Sequence, residues 1–380
     1  MNILLVVTGL PDKESPARSV FNLTFARELI EKGQQVTILY LRAVNPSKSF
    51  IVNKNISEIK CFEIRSTIPK FGFTKNSSFQ SNLFCAILKN KRLSKHLEQI
   101  DIIHAIGGGS LEASYLISKR FHIRMISQFI GSDLNVHFSS LLKKKNFLKG
   151  IEKSNFLCFN SKGLKDVFLN KFPEKKNTKV LYRGIKLDDF TYYFKQTNII
   201  NILFLGGFPS NDNLKGGFTV IKTIKLLKNE MLSTSIRITI GGPNSLNYKH
   251  FSKEIQNPKI QLDFIGAVPK ALVKDKMKKS NIVLIPSISE GLPNVLYEAM
   301  ASGNMVIASE VGGIPEVLVR GETGELIPPD NAVSLMTTIK KAINDRHKIE
   351  KYAEKGRIKI RDMDYNNFIQ GYIQIYKKLT

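Results

Sequence analysis

The sequence alternates short apolar runs with amphipathic segments along almost its whole length. Residues 2–7 and 35–41 are apolar runs. The segment 19–33 between them has helical periodicity, with Ser19 as a candidate N-cap and Gly33 just past its end. Strands that alternate with helices predict a parallel sheet covered on both faces. The further strand candidates of the first half are residues 57–64, 101–105, 123–129, 155–160 and 178–182.

The pattern pauses near the middle of the chain and then restarts. The polar and aromatic stretch DDFTYYFKQTN (188–198) is followed by IINILFLGG (199–207), which, like the N-terminal MNILLVVTG, is a strand ending in a glycine turn. At 380 residues the chain suits two domains of about 150–200 residues each. We therefore predict an α/β protein of two doubly wound, Rossmann-like domains, residues 1–190 and 198–364, facing a central cleft that binds ligands. The strand candidates of the second domain are residues 200–205, 235–240, 260–265, 281–285 and 304–308, and the tail from about 331 to 379 reads as wholly helical.

The formal net charge of +25 is unevenly distributed. Residues 1–190 contain 31 Lys and Arg against 15 Asp and Glu, a net of +16, whereas residues 191–380 contain 26 against 17, a net of +9. The excess lies in LKNKRLSKHL (88–97) and SSLLKKKNFLKGIEK (139–153), where cations alternate with Leu, Ile and Phe at helical spacing. Such stretches suit an anionic membrane surface or a phosphate-bearing partner, and a solvated basic face is the alternative. Nucleic acid is disfavoured, because the sequence contains no glycine-flanked aromatic platform and no zinc-finger spacing.

The apolar segments and the cysteines indicate the compartment. MNILLVVTGL has no basic stretch and is too short for a signal peptide, and no segment reaches the roughly 18 apolar residues that a spanning helix needs. The three scattered cysteines, Cys61, Cys85 and Cys158, are not at metal-ligand spacing and are typical of a reducing cytosol. We expect a cytoplasmic protein that is peripheral at the inner face of the membrane.

A glycine- and lysine-containing loop opens the second domain. In ILFLGGFPSNDNLKGGFTVIKTIKLL (202–227) the strand ends at Gly206 and Gly207, and Lys215 precedes two glycines that open a helix. Glycines allow close approach of a ligand, while a helix N-terminus and a lysine favour an anion, so the loop predicts a phosphate site. The nucleoside-triphosphate loop is excluded, because its glycine–lysine–Ser/Thr spacing is absent. The alternative is that the glycines only form tight turns.

The segment SISEGLPNVLYEAMASG (287–303) places two glutamates around a predicted helix start. Pro293 suits the first helical position, since its missing N–H costs nothing there. Glu290 lies just ahead of the helix, and Asn294 and Glu298, at i and i+4, share one side of it. Carboxylates accept hydrogen bonds from the vicinal hydroxyls of a ribose or hexose; alternatively, Glu290 only caps the helix and Glu298 is solvated. The opposite side is a predicted core stripe of Val295, Leu296, Ala299 and Met300.

Residues 289–330 resemble the signature of the family 4 glycosyltransferases, which are retaining enzymes of the GT-B fold. The matching stretch is SEGLPNVLYEAMASGNMVIASEVGGIPEVLVRGETGELIPPD. The likeness extends to the glycine–lysine loop, to GLKDVF…KVLYRGIKLDDF (163–190) and to DIIHAIGGGSLEA (101–113). It is strong from 200 to 330 and looser before 160. The resemblance also predicts that the last helix, about 365–380, packs on the N-terminal domain.

The resemblance implies a role for each residue of the two motifs. Glu298 would bind the ribose hydroxyls of a nucleotide-sugar, and Glu290 would hold donor-sugar hydroxyls near the anomeric carbon. Lys215 would neutralise the departing diphosphate, so Glu290 and Lys215 are the predicted catalytic residues. The remaining predicted nucleotide-sugar contacts are the loop glycines and the backbone N–H groups of the helix start: Gly206, Gly207, Gly291, Leu292, Asn294 and Val295.

The implied activity is transfer of a hexose from a UDP- or GDP-linked sugar, with retention, to a glycan or lipid-linked glycan acceptor. The resemblance implies a bacterial pathway of cell-surface polysaccharide biosynthesis, of lipopolysaccharide or capsule, and no metal ion or other cofactor. The alternative is a catalytically inactive basic binding protein with a sugar-nucleotide site. A nicotinamide-dependent dehydrogenase is excluded, because VVTGLPDKESP (6–16) lacks the glycine fingerprint after the first strand.

The chain departs from the family pattern at three places, one of which is the stretch ESPARSVFN (14–22) in place of the glycine pair usual before the first helix. Family members commonly have an Arg directly after the first loop glycine, where this chain has Gly207, and many have a His where this chain has Ile130. Arg183 and Arg18 are candidates for the missing diphosphate cation. His104 is a candidate for lining the acceptor side, the alternative being a histidine that is simply hydrogen-bonded at a strand end.

Overall fold

The chain forms two compact domains. The computed structural model describes residues 1–11, 19–44, 50–56, 58–67, 87–135, 138–142, 145–191, 198–208 and 213–380. The first domain comprises Met1–Leu181 and Phe368–Thr380, and the second comprises Tyr182–Asn367. Four residues singled out in the sequence lie outside the described part: Arg18, Cys85, Lys143 and Lys144.

The first domain is built on an eight-stranded sheet in the order β3-β4-β2-β1-β5-β6-β7-β8. The strand pairs are parallel except β3–β4, which is antiparallel. Strand β1 is fully buried over Ile3–Val7, as a parallel strand covered on both faces must be. The strands are β1 (Asn2–Val7), β2 (Gln35–Val44), β3 (Phe50–Ile56), β4 (Ile59–Thr67), β5 (Ile102–Ile106), β6 (Arg124–Phe129), β7 (Phe156–Phe159) and β8 (Thr178–Val180).

The predicted parallel sheet is therefore confirmed, and β3 was missed. It pairs with β4 as far as Ile56 and Ile59, so only two residues separate the strands and leave no room for a helix. The helices of this domain are α1 (Val20–Glu31), α2 (Lys91–Leu97), α3 (Leu111–Phe121), α4 (Ser132–Asn135), α5 (Phe138–Leu142), α6 (Lys145–Lys153) and α7 (Lys162–Leu169). Helix α1 begins after Ser19 as predicted, but the Ser19 side chain makes no capping hydrogen bond.

The second domain is built on a six-stranded parallel sheet in the order β11-β10-β9-β12-β13-β14. Its strands are β9 (Ile200–Phe204), β10 (Ile236–Gly241), β11 (Ile260–Gly266), β12 (Ile282–Ile285), β13 (Met305–Ser309) and β14 (Glu325–Ile327), of which the three-residue β14 was missed. The chain order reverses between β9 and β12. Loops that follow these two strands therefore leave the sheet side by side, at the point where open α/β sheets bind ligands.

The tail of the chain is helical, as predicted. The helices from the second domain to the C-terminus are α8 (Gly217–Leu227), α9 (Phe251–Glu254), α10 (Lys270–Lys278), α11 (Asn294–Ala301), α12 (Ile314–Val317), α13 (Ala332–Asn344), α14 (Arg346–Arg361) and α15 (Tyr365–Leu379). From Phe368 onward α15 belongs to the first domain. There Phe368 and Tyr372 pack edge-on against Phe25, with ring centroids 5.7 and 5.2 Å away.

The domain boundary falls earlier than the predicted residue 190. Residues from Tyr182 onward belong to the second domain. Ile185 and Phe190 are buried in its core, and the Tyr182 hydroxyl donates a 2.7 Å hydrogen bond to Glu316. The segment therefore belongs to the second domain because its apolar side chains pack there, although its sequence reads as a polar linker.

Candidate functional site

Two loops meet at the carboxyl edge of the second-domain sheet. We call residues 205–208 and 213–216, which follow β9, the glycine–lysine loop, and residues 286–293, which follow β12, the glutamate loop. The Ile288 N–H donates a 2.8 Å hydrogen bond to the Leu214 carbonyl, which joins the loops through the backbone. Gly216 has φ +75°, and a Cβ there would lie 1.9 Å from the Pro286 carbonyl oxygen. Only glycine fits this contact, so the two loops are held in a fixed relation.

Lys215 and Glu290 form an ion pair across this junction. The Lys215 Nζ lies 2.5 Å from the Glu290 Oε1, and the Ser287 hydroxyl donates to the same oxygen at 3.0 Å. The Glu290 side chain is only 10% exposed, whereas that of Lys215 is 48% exposed. A nearly buried carboxylate needs such compensation, because desolvating a charge is costly. The two predicted catalytic residues are therefore in direct contact, and Ser287 is a site residue that the sequence did not reveal.

A third loop fixes the backbone on which Glu290 stands. Gly312, after β13, has φ +55°, and a Cβ there would lie 2.0 Å from the Glu290 carbonyl oxygen. The neighbouring Gly313 N–H donates a 2.5 Å hydrogen bond to the Gly291 carbonyl. The glycine pair of this turn lets the chain approach Glu290 closely. It was visible in the sequence only as part of the family signature.

Helix α11 begins directly after the glutamate loop. Pro293 has ψ 138°, which is extended, so it occupies the N-cap position and the first helical residue is Asn294 rather than Pro293 as predicted. No side chain caps this end. The first N–H groups of a helix, here those of Asn294 and Val295, have no acceptor within the helix. Together with the helix dipole they favour an anion at this end.

The predicted core stripe of α11 needs one correction. Leu296, Ala299 and Met300 are fully buried as predicted, but Val295 is only partly buried and Tyr297 is buried in its place. A helix that packs against a sheet buries a face wider than the four residues of the prediction. On the other side Asn294 is exposed and Glu298 is partly buried, as expected.

Two further cationic side chains contact α11, one at Glu298 and the other at Asn294. The Lys270 Nζ, at the start of α10, donates to the Glu298 Oε1 at 2.8 Å. The Arg183 guanidinium donates to the Asn294 side-chain oxygen. Burial lowers the pKa of Arg183 from its usual value, and the nearby Tyr365 and Glu298 oppose that shift, so the group stays cationic. Arg183 therefore lies at the start of α11, and its predicted contact with the diphosphate stays a prediction. Lys270 was missed in the sequence.

The glycines of the glycine–lysine loop are explained by packing. A Cβ on Gly206 would lie 2.4 Å from the Phe204 ring, and one on Gly207, where φ is +66°, would lie 2.6 Å from the Pro243 backbone. Gly206 therefore packs on the end of β9, and Gly207 packs on the turn that follows β10. The tight-turn alternative accounts for both positions, and contact with a phosphate stays a prediction.

His104 lies in the core of the first domain and not on a ligand-accessible surface. It is fully buried, and its Nδ1 is 2.7 Å from the Tyr376 hydroxyl of α15. Burial lowers its pKa to about 3, so it is neutral at ordinary pH. The prediction that His104 lines the acceptor side is wrong, because α15 covers β5. The alternative, a hydrogen-bonded histidine, is what the structure contains.

Within the described part of the chain no three or more His, Cys, Asp or Glu side chains lie together in a way that suits a metal ion. No described helix is long and apolar enough to cross a membrane.

Comparison with known proteins relates the second domain to glycosyltransferases. Residues 194–359 match the model of the glycosyl transferases group 1. The match covers most of the second domain and includes both loops, α10 and α11. The predicted relationship to glycosyltransferases is confirmed at this level.

Two further relatives extend the relationship over most of the chain. An uncharacterized glycosyltransferase of Methanocaldococcus jannaschii is 24% identical, over 74% of this chain and 77% of its own. A candidate teichuronic acid biosynthesis glycosyltransferase of Bacillus subtilis is also 24% identical, over 89% of this chain and 88% of its own.

The fold matches solved structures over the whole chain. Anabaena HepE, solved in complex with UDP, superposes with a TM-score of 0.74 at 15% identity, covering 99% of both chains. The predicted GT-B fold is therefore confirmed. At this identity the likeness concerns the fold alone.

Proposed function

We propose that the protein is a retaining glycosyltransferase that moves a hexose from a nucleoside-diphosphate sugar to a glycan or lipid-linked glycan acceptor. The observation that carries the proposal is the Lys215–Glu290 ion pair beside the uncapped start of α11. It lies at the switch point of a sheet whose domain matches the glycosyl transferases group 1 model. The HepE structures with UDP and with UDP-glucose support a nucleotide-sugar donor. The proposed donor is either a UDP- or a GDP-linked sugar, as the resemblance of the sequence implies.

The chemistry needs positive charge where the diphosphate departs. In the transfer, the bond between the anomeric carbon and the diphosphate oxygen breaks and a bond to the acceptor oxygen forms. The acceptor hydroxyl gives its proton to the departing diphosphate oxygen. Lys215 and the N–H groups of Asn294 and Val295 stabilise the charge that develops on the leaving diphosphate. Glu290 orients the donor sugar. These groups supply the positive charge without a metal ion.

Two residues complete the proposed donor site. Glu298 binds the ribose hydroxyls as a double acceptor. Arg183, which already contacts Asn294 at the start of α11, supplies the second cation that Gly207 does not provide. An arginine suits this task, because its planar fork matches phosphate oxygens.

We further propose that the acceptor belongs to cell-surface polysaccharide synthesis at the inner face of a bacterial membrane. The name of the Bacillus subtilis relative, which refers to teichuronic acid biosynthesis, supports this pathway class. The basic first domain supports the membrane surface as the place of work.

A thermal-shift panel of nucleoside diphosphates and their sugars, followed by a turnover assay, tests the enzyme proposal. At a concentration of one hundred times its Kd, the matching nucleotide should raise the melting temperature of the second domain by about 5–10 °C. Release of nucleoside diphosphate in the presence of acceptor would support an enzyme. If the nucleotide binds but no acceptor extract causes release of nucleoside diphosphate from the donor, the alternative is favoured. The protein would then be an inactive sugar-nucleotide-binding protein. The absence of a shift with every nucleotide would contradict both.

Membrane attachment through α2 should depend on charge, because the two apolar residues of this helix are buried. In α2, Leu93 and Leu97 are fully buried, whereas Lys91, Arg92 and Lys95 are exposed. Each such cation contributes about 1 kcal/mol near an anionic leaflet, so changing all three to Ser should lower binding to anionic liposomes roughly 100-fold. Flotation at low salt measures this.

The matched control removes the same charges from the second domain. Lys351, Lys355 and Arg361 are exposed on α14, and changing these three to Ser should leave flotation unchanged. Equal recovery of wild type with anionic and neutral lipid, or equal loss in both triple variants, would contradict membrane attachment through α2. The basic stretches would then be solvated faces.

A further inference from the structure

The ion pair between Lys270 and Glu298 is not part of any role considered so far. We propose that Lys270 is a positioning residue, which holds the Glu298 carboxylate in place for the ribose hydroxyls of the donor. The inference rests on the proposed function and deepens it, because it names what makes the ribose site selective. Lys270 does not itself need to touch the reacting atoms.

Lys270 and Glu298 reach each other from two neighbouring helices. Lys270 is the first residue of α10, which follows the edge strand β11, and Glu298 lies in the middle of α11. The Lys270 Nζ lies 2.8 Å from the Glu298 Oε1. Among the described residues, the only side-chain hydrogen bond to Glu298 comes from Lys270.

The geometry leaves the carboxylate able to bind a diol. An ionised carboxylate has two oxygens and about four acceptor positions, and the lysine uses one position on Oε1. The Glu298 side chain is 14% exposed and that of Lys270 is 49% exposed. The acid is therefore mostly enclosed while the base reaches it from the solvent side. A glutamate side chain otherwise samples several rotamers, and ordering it upon binding would weaken affinity.

The surroundings favour positioning over stabilisation. Ion pairs with an exposed partner contribute little to folding stability. Glu298 also opposes the lowering of the pKa of Arg183, so two cations on different elements interact with this carboxylate. Lys270 is the one of these two that bonds to the carboxylate directly.

Binding of UDP and of 2′,3′-dideoxy-UDP, measured by calorimetry, tests the inference. We expect wild type to prefer UDP by at least about tenfold, the scale of one charge-assisted hydrogen bond. Lys270→Met should weaken UDP binding by about tenfold and leave the dideoxy analogue within about threefold of wild type. Lys270→Arg should keep most of the preference. In turnover, Lys270→Met should raise the donor KM and leave kcat unchanged, since positioning for ribose acts equally in ground and transition states.

Lys348→Met is the matched control. Lys348 pairs with Glu325 at 2.8 Å, and that glutamate is 18% exposed, but it opens β14 at the opposite edge of the sheet. The control should bind both nucleotides like wild type. Wild-type behaviour of Lys270→Met, or equal losses with UDP and the dideoxy analogue, would overturn the inference while leaving the proposed function intact. Failure of wild type to bind any nucleoside diphosphate would overturn the proposed function first, and the inference with it.

Discussion

Glu290→Gln should abolish detectable turnover while the affinity for nucleoside diphosphate stays within about threefold of wild type. Glu290 stands on the loop before α11, is nearly buried, and is held by Lys215 and Ser287. In the proposed function it contacts the donor sugar and not the nucleotide. A glutamine keeps the shape and loses the charge, so the expected fall in kcat is at least about 10²–10³, the scale for one preorganised electrostatic contact.

Glu298→Ala is the complementary variant, and unlike Glu290→Gln it should weaken nucleotide binding. It removes the proposed ribose acceptor, so the affinity for nucleoside diphosphate should fall by at least about tenfold. Calorimetry and donor consumption should be measured on the same preparations. If both variants bind the nucleotide like wild type, the role of Glu298 is wrong. If Glu290→Gln still turns over at more than a third of the wild-type rate, the role of Glu290 is wrong.

The sequence predicted the parts of the site that are local. Lys215 and Glu290 could be found because each follows an apolar strand and precedes a helix, and parallel strands end at one edge of a sheet. The face of α11 that carries Glu298 followed from helical periodicity. The strand–helix alternation likewise predicted both sheets, because a buried parallel strand is a short apolar run with clear ends.

The parts that the sequence did not reveal depend on packing between distant segments. Lys270 lies 28 residues before Glu298, and nothing in its own neighbourhood marks it as a partner. Gly312 is needed only because a separate loop passes within contact of Glu290. The burial of His104 depends on Tyr376, which is 272 residues away in the last helix. No local period or composition reports such contacts.

Lys215→Ala should lower kcat by about 10²–10³, because Lys215 is proposed to stabilise the leaving diphosphate. The loop has no second cation at residue 207, where this chain has a glycine and the family it resembles commonly has an arginine. The structure adds a second reason. Lys215 approaches Glu290 to 2.5 Å, so its removal also takes a cation from a carboxylate that is only 10% exposed. Lys215→Arg should recover part of the rate, and Lys222→Ala, which removes an exposed lysine from α8, should turn over like wild type.

The contact between Lys215 and Glu290 makes their losses non-additive. If the pair acts as one unit, the double variant Lys215→Ala, Glu290→Ala should lose about as much kcat as the worse single variant, and not the product of the two losses. Multiplying losses would mean that the two residues act independently, and the 2.5 Å ion pair would then have no part in turnover. A loss below about threefold in Lys215→Ala alone would mean that another group stabilises the diphosphate. Arg183, which contacts α11 through Asn294, would be the next residue to change.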